Sequence, residues 1–440
     1  MKPLSFLQRI VQVLARRDGA RKTVMLCHAL LSERGEASGA ALARETLASL
    51  QGLDDRERTA FFDALVADFS PDPEFVAQAS QAYLAAPTQS HLIGLQRAVE
   101  PPRQELFRRL NMAPGGTAAL VEIRRRMLAD LKAKPEWAGI DADLGHLLAS
   151  WFNRGFLVLQ RIDWRTPALV LEKLIEYEAV HEIEGWSDLR RRLQADRRCF
   201  AFFHPALPDE PLIFIEVALT RGMSERVRPL LDHDRPVSDP ADADTAIFYS
   251  ITNCQDGLRG ISFGNFLIKQ VVAELSRELP RLKTFATLSP IPGFRAWLKD
   301  SAADLAGTPG AAPYLEMLER LKRPTWYKHK AIADSMRPRL LALCAYYLLH
   351  AKLALGPLDP VARFHLGNGA RLERLNWLAD DSRHGIEQSA GMMANYLYRL
   401  AEVERNHEAF ANEHRIVASG QLDRLARECP LHPSHAEAQR

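Results

Sequence analysis

Ala246-Ile247-Phe248-Tyr249-Ser250-Ile251 leads through Thr252 into Asn253-Cys254-Gln255-Asp256-Gly257-Leu258-Arg259-Gly260-Ile261-Ser262-Phe263-Gly264-Asn265. Leu267, Ile268, Val271, Val272, Leu275 and Leu279 then recur at helical spacing until Pro280. The first run is short and nearly all apolar, as a strand covered on both faces must be. The second series is an amphipathic helix, with Val271, Val272 and Leu275 expected in the core. A glycine-bearing loop therefore joins a strand to a helix N-terminus. Glycines let backbone N–H groups turn onto an anion, and the helix end adds partial positive charge. Arg259 adds a full one. The spacing matches neither the dinucleotide fingerprint G-x-G-x-x-G nor the P-loop with its Gly-Lys-Ser/Thr. Gly257 and Gly260 can equally serve a turn, and Gly264 close helix packing; spacing alone leaves both readings open.

Outward from this unit, other strand-length apolar runs appear. They are Cys199–Phe203, Leu212–Leu219, Thr284–Leu288 and Leu372–Leu378. Helical patterns lie between them, so this half is α/β. The texture before about Gly155 is different. Phe61, Phe62, Leu65, Val66 and Phe69 follow Asp54 and Asp55 at helical spacing, and Ser70-Pro71-Asp72-Pro73 breaks that helix. Leu120, Ile123, Met127, Leu128 and Leu131 make another stripe, beside Arg124, Arg125 and Arg126. That arginine cluster reads as a solvated face. The expected architecture is α+β multidomain: an all-helical domain over 1–155, then an α/β domain over 156–440, the boundary falling within 155–165. The loop after the third strand is closer to the pyrophosphate loop of acetyltransferase-type folds, which grip coenzyme A after a central strand.

The 440 residues are 47% hydrophobic, enough for two cores. Lys plus Arg is 57 and Asp plus Glu is 55, a net charge of +2 that argues against a nucleic-acid binder. Cys27, Cys199, Cys254, Cys344 and Cys429 are scattered and odd in number, so a reducing, cytoplasmic location is expected. Cys429, His432 and His435 have metal-like spacing, but Pro430 and Pro433 interrupt them and no fourth ligand is near; a frayed tail is the simpler reading. Leu340–Leu349 is about half the ~20 residues a membrane helix needs, so it reads as a buried helix. Met1–Lys22 is basic and amphipathic, which fits a first helix or a transit peptide.

Longer strings carry a family resemblance. They are Phe248-Tyr249-Ser250-Ile251, Gly264-Asn265-Phe266-Leu267-Ile268-Lys269, Thr287-Leu288-Ser289-Pro290-Ile291-Pro292-Gly293-Phe294, Phe364-His365-Leu366-Gly367-Asn368-Gly369-Ala370, Leu375-Asn376-Trp377-Leu378-Ala379-Asp380 and Gly391-Met392-Met393-Ala394-Asn395-Tyr396. Together they resemble the malonyl-CoA decarboxylase family over the whole second half, and reach back through Asp163–Pro167 and Phe203-His204-Pro205. The resemblance implies a helical domain that takes part in oligomer contacts, then a catalytic domain of acetyltransferase-like (GNAT-type) fold. It implies conversion of malonyl-CoA to acetyl-CoA and carbon dioxide by a homo-oligomer, with a tetramer one form. It places catalytic residues at Ser289 and His365, and an acyl-CoA loop at Arg259, Gly260, Ile261, Ser262, Phe263, Gly264 and Asn265. Ser262 stands where other members can carry an acidic residue, so its side chain is not expected to be essential.

A malonyl thioester carries its own electron sink, so the reaction requires no biotin, pyridoxal phosphate or metal. The protein must hold the thioester, stabilise the enolate oxygen and protonate the carbanion. Backbone N–H donors suit the second task. A histidine suits the third. For His365 the competing reading is a ring satisfying a turn near Gly367 and Gly369; for Ser289 it is a cap before Pro290. Asn376, Asp380 or Asp381 can orient His365. Tyr396 and Tyr398, read on a helical pattern, can line the acyl pocket or merely pack. His204 reads as structural. Arg259, Lys269, Arg295 and Lys299 are candidates for the coenzyme phosphates. The alternatives are an acyl-CoA-dependent acyltransferase on the same fold, which needs an acceptor, and a non-catalytic acyl-CoA sensor.

Overall fold

A computed structural model describes residues 19–261, 263, 267–308 and 311–432. They form two compact units. The first holds the described residues up to Val158, with Phe203–Glu210 and Gln255–Phe263. The second holds Leu159–Phe202, Pro211–Cys254 and the described residues beyond.

The first unit contains eight α-helices among its described residues: α1 (Gly19–Ser32), α2 (Glu36–Gln51), α3 (Asp55–Asp68), α4 (Pro73–Ala85), α5 (Gln89–Val99), α6 (Pro102–Asn111), α7 (Gly116–Asp130) and α8 (Ala138–Trp151). Local chemistry sets their limits. Asp54 accepts from the Glu57 N–H at 2.8 Å while Glu57 reaches back to the Asp54 N–H at 3.1 Å, a capping box that starts α3. Asp72 caps α4, with Pro73 at its first position. Phe61, Phe62, Leu65 and Phe69 are buried, as their spacing requires. The amphipathic stretch before residue 19 lies outside the described residues.

The second unit is built on a mixed sheet. Its strands are β1 (Val158–Ile162), β2 (Arg197–Phe203), β3 (Ile213–Thr220), β4 (Thr245–Asn253), β5 (Thr284–Thr287), β6 (Ser289–Pro290), β9 (Arg371–Asn376) and β10 (Met393–Leu397), in the order β1-β2-β3-β4-β5-β10-β6 with β9 beside β10. β7 (Lys352–Leu353) and β8 (Gly356–Pro357) pair separately. β2, β3 and β4 run antiparallel, β4 and β5 are parallel, and β10 is antiparallel to its three neighbours. That single parallel step lies where the glycine-bearing connection and the helix after it carry the chain from β4 to β5. Glu216 pairs with Ser250 and Val217 with Phe248, which leaves Tyr249 as an unopposed bulge in β4.

Most strand expectations hold, with two differences. The fifth stops at Asn376 because Leu378 takes a left-handed backbone, φ 47°, which no strand continues through. Met393–Leu397, read as part of a helical pattern, is strand β10. Every residue in it is buried, so no alternation marks it, and Met, Ala and Leu have no preference for strands. Pairing on both sides overrides propensity there.

The helices that matter here are α9 (Ala168–Tyr177), α10 (Trp186–Arg192), α11 (Leu267–Glu278), α12 (Lys330–His350), α13 (Pro360–Gly367) and α14 (Val403–Glu413). α11 buries Leu267, Ile268, Val271, Val272 and Leu275. α12 contains the run Leu340–Leu349, largely buried as expected. Among the described residues no helix is long and apolar enough to cross a membrane. All five cysteines are buried, and none is in a disulfide. His435 lies outside the described residues, and no metal-holding cluster occurs among them.

Candidate active site

β5 and β6 are one line of chain in one register against β10: Ala286 lies opposite Leu397 and Ser289 opposite Ala394. Between them the ladder opens. The Leu288 N–H turns to Phe248 O on β4 at 2.9 Å. The Tyr396 N–H donates to Thr287 Oγ1 at 3.1 Å, and Asn395 Nδ2 donates to Thr287 O at 2.6 Å. Side chains thus replace main-chain partners where the strand parts. Ser289 sits just beyond this opening. Its hydroxyl donates to Thr287 Oγ1 at 2.8 Å and lies 2.9 Å from His365 Nε2.

His365 comes from α13. Asp359 caps that helix, its Oδ1 accepting from the Ala362 N–H at 2.8 Å. The helix ends at Gly369, φ 80°, where a Cβ would stand 2.1 Å from Val403 O. Only glycine fits on both counts. The carbonyl of His365 serves this turn, accepting from the Ala370 N–H at 3.0 Å, so the ring is released for another task. Its Nδ1 lies 2.9 Å from the Tyr398 hydroxyl. The Tyr396 ring stacks on the imidazole, centroids 4.5 Å apart.

These contacts fix the proton positions by elimination. Ser289 donates to Thr287, so its oxygen accepts from Nε2–H. Nδ1 then accepts, and Tyr398 O–H donates to it. Burial alone depresses the His365 pKa to about 3 and pushes the Tyr398 phenol well above its usual value. The line Tyr398–His365–Ser289–Thr287 is therefore neutral and directional at physiological pH. Among the described residues no charged side chain hydrogen-bonds to Ser289, His365 or Tyr398.

The structure brings Ser289 and His365 together, a contact the sequence leaves open, and residues other than those read for that role support them. Asn376 donates to Asn395 Oδ1 at 2.8 Å, Asp380 accepts from the Ser382 N–H at 3.0 Å, and Asp381 faces Arg228 at 3.8 Å; none orients His365. Tyr398 does. A strand reading of 393–398 finds it, because Tyr396 and Tyr398 then share a face. His204 packs against Phe152 and accepts from the Ala206 N–H, a structural role as read.

In the first unit, Asp256–Leu258 form a 3₁₀ turn and Gly260 takes φ 82°. The Arg259 side chain is exposed and has no partner among the described residues. Phe263 is buried; Ser262, Gly264 and Asn265 lie outside the described residues. One expectation fails here. Arg124 is no solvated face: it is 5% exposed, bonded to Asp141 at 2.8 Å, and its Nη1 donates to Gly257 O at 2.7 Å and Arg259 O at 3.0 Å. Gly257 lies so close to α7 that a Cβ would stand 2.0 Å from Val121 O. Of the other cations, Lys269 pairs with Glu404 at 2.6 Å, Arg295 is half-buried with its pKa lowered by burial, and Lys299 is exposed.

The malonyl-CoA decarboxylase C-terminal domain model matches residues 155–437, and the N-terminal domain model matches 69–152. The chain belongs to the malonyl-CoA decarboxylase family. The crystal structure of malonyl-CoA decarboxylase from Rhodopseudomonas palustris is 52% identical, with a TM-score of 0.89, covering 92% of this chain and 99% of that one. The enzyme from Agrobacterium vitis is 50% identical, TM-score 0.86, with the same coverage. The mitochondrial malonyl-CoA decarboxylase of Anser anser anser is 36% identical over 405 residues, 84% of this chain and 80% of that protein. Family membership and the neutral Ser289–His365–Tyr398 line thus rest on independent observations.

Proposed function

We propose that this carboxy-lyase of the malonyl-CoA decarboxylase family converts malonyl-CoA to acetyl-CoA and carbon dioxide, with Ser289 as immediate proton donor and His365 and Tyr398 behind it. The carboxylate of the substrate lies β to the thioester carbonyl. When the C–C bond to the carboxylate breaks, its electron pair moves into the thioester as an enolate and carbon dioxide leaves. Cα then takes the Ser289 proton, which turns from Thr287 to the substrate; the Nε2–H of His365, held in place by the Tyr398 hydroxyl on Nδ1, shares its proton with the serine oxygen left behind, and water restores the Ser289 hydroxyl once the products leave. A thioester enolate is a far stronger base than any group on this line, so neutral donors suffice. An imidazolium here would pair with the malonyl carboxylate and stabilise the ground state, opposing reaction. The depressed pKa of His365 avoids that.

The observation that carries this reading is the uninterrupted line of hydrogen bonds from Ser289 to Tyr398. Purified protein given malonyl-CoA alone should release acetyl-CoA and carbon dioxide one for one. Turnover that appears only when an amine acceptor is added would establish the acyltransferase instead.

The remaining assignments belong to the same proposal. Arg259, Gly260, Ile261, Ser262, Phe263, Gly264 and Asn265 hold the coenzyme, supported by the exposed Arg259 guanidinium and the left-handed Gly260. The helical domain over 1–155 carries homo-oligomer contacts and 156–440 the catalysis, a reading supported by separate family models over 69–152 and 155–437. Exposed Phe75 and Leu84 on α4, which buries none of its residues, and exposed Ile93 and Val99 on α5 support the oligomer. Five cysteines outside any disulfide support a reducing, cytoplasmic location.

A further inference from the structure

The Ser289–His365 contact joins residues 76 apart in sequence, from a strand end and a helix. Something must hold those two elements in register to a few tenths of an ångström. Asp359 lies between them. It is completely buried and caps α13, accepting from the Ala362 N–H at 2.8 Å with the Val361 N–H turned toward it. The Gly293 N–H also faces this carboxylate, and its Oδ2 accepts from the Tyr347 hydroxyl at 3.4 Å. Gly293 ends the segment Ser289-Pro290-Ile291-Pro292-Gly293. Two prolines stiffen that segment, and Ile291 and Phe294 anchor it in the core. Gly293 itself cannot carry a side chain, since a Cβ would stand 2.2 Å from the Tyr347 oxygen.

We propose that Asp359 is a positioning residue: one carboxylate ties the helix carrying His365 to the proline segment carrying Ser289, and Tyr347 completes the tie. This rests on the reading of Ser289 and His365 given above. A buried carboxylate has acceptor capacity for all four donors at once, and no neutral side chain has. Burial raises its pKa, while the donors gathered around it pull the other way. An asparagine or serine caps a helix as well as aspartate does.

Asp359→Asn separates the two duties. Its amide oxygen keeps the cap, while its NH2 meets the Tyr347 and Gly293 donors with donors. The expected result is a kcat lowered about tenfold or more with KM for malonyl-CoA within about twofold, since a misplacement near 1 Å costs up to ~100-fold. In 15N-histidine-labelled enzyme without substrate, the His365 ring resonances should move. Tyr347→Phe should lower kcat by a smaller factor. A kcat within twofold of native in Asp359→Asn, while Ser289→Ala and His365→Ala are inactive, overturns the tie and leaves the catalytic reading standing. So does a kcat loss without movement of the His365 resonances, which marks a general folding defect. If Ser289→Ala and His365→Ala retain native kcat, the catalytic reading fails and the tie falls with it.

Discussion

On one face of the central sheet Ser289, His365 and Tyr398 form a hydrogen-bonded line without a formal charge. On the other, Arg192 of α10 is clamped by Glu216 at 2.6 Å and Asp188 at 3.2 Å, all of them buried. Beside this pair, Glu178 collects the hydroxyls of Ser250 and Thr252 and the N–H groups of Val180 and His181. Both faces shift their titratable groups. Burial lowers His181 to about 4, and it pushes Glu216 and Tyr249 up. A perturbed pKa therefore does not mark which face reacts. The difference lies in what the groups are tied to. Behind the sheet, opposite charges are locked to each other. In front, neutral groups are hydrogen-bonded in one line that runs through a serine beside a parted strand.

The comparison breaks most sharply under mutation. Ser289→Ala and His365→Ala should each lower kcat about a thousandfold, the middle of the range for a proton-transfer group, with melting temperature little changed. Arg192→Leu should do the reverse. It strands Glu216 and Asp188 as buried charges, which costs about 3–5 kcal/mol of stability, while kcat of the protein that remains folded stays within about threefold. Denaturant unfolding and steady-state kinetics on the same preparations read both. If Arg192→Leu abolished turnover in folded protein, the rear ion pair would have to be counted as part of the site.

Tyr398→Phe tests how far the front line extends. It keeps the ring and removes only the donor to Nδ1, so kcat should fall about tenfold to a hundredfold, less than for Ser289→Ala. Native kcat in this variant would end the line at His365.

Each face also has one histidine kept neutral by burial, and pH tests them together. His181 and His365 take up a proton on unfolding below about pH 6.5, so the unfolded chain binds more protons and stability falls as pH falls. The loss runs from about 6.5 down to about 4 for His181 and about 3 for His365. Each contributes a slope of about 1.4 kcal/mol per pH unit in that window. His181→Phe and His365→Phe should flatten the slope alike, although only the second removes activity. Urea unfolding at a series of pH values measures it.

Sequence made the strand–loop–helix at 246–279 legible because one apolar run and one helical stripe meet at glycines, a pattern that local backbone physics dictates. Ser289 and His365 were reached through longer strings, not spacing: alone, His365 reads equally well as a turn residue. What stayed hidden was tertiary. Tyr398 could not be assigned while Met393–Leu397 looked helical, since a strand buried on both faces has no period to show. Asp359 looks like any helix cap before Pro360, and nothing local reveals that Gly293 lies against it.

Arg124 was the plainest misreading, because three consecutive arginines suggest a charged surface. Two of them behave so, pairing with Glu122 at the surface, while the first turns inward. Its guanidinium holds two loop carbonyls and Asp141 at once, a geometry that the single ammonium of lysine cannot reproduce. Arg124→Lys should therefore loosen the 257–259 turn without unfolding α7. The expected effect is the smallest of this set: KM for malonyl-CoA rises roughly tenfold, the ~1.4 kcal/mol of one hydrogen bond to a charged donor, and kcat falls by less. The same rise should appear in the inhibition constant of free coenzyme A, because it shares the loop's ligand and lacks the malonyl group. A kcat loss larger than the KM rise would mean that Arg124 acts on the reacting line itself, and the division between a coenzyme-holding loop and a proton-handling face would have to be redrawn.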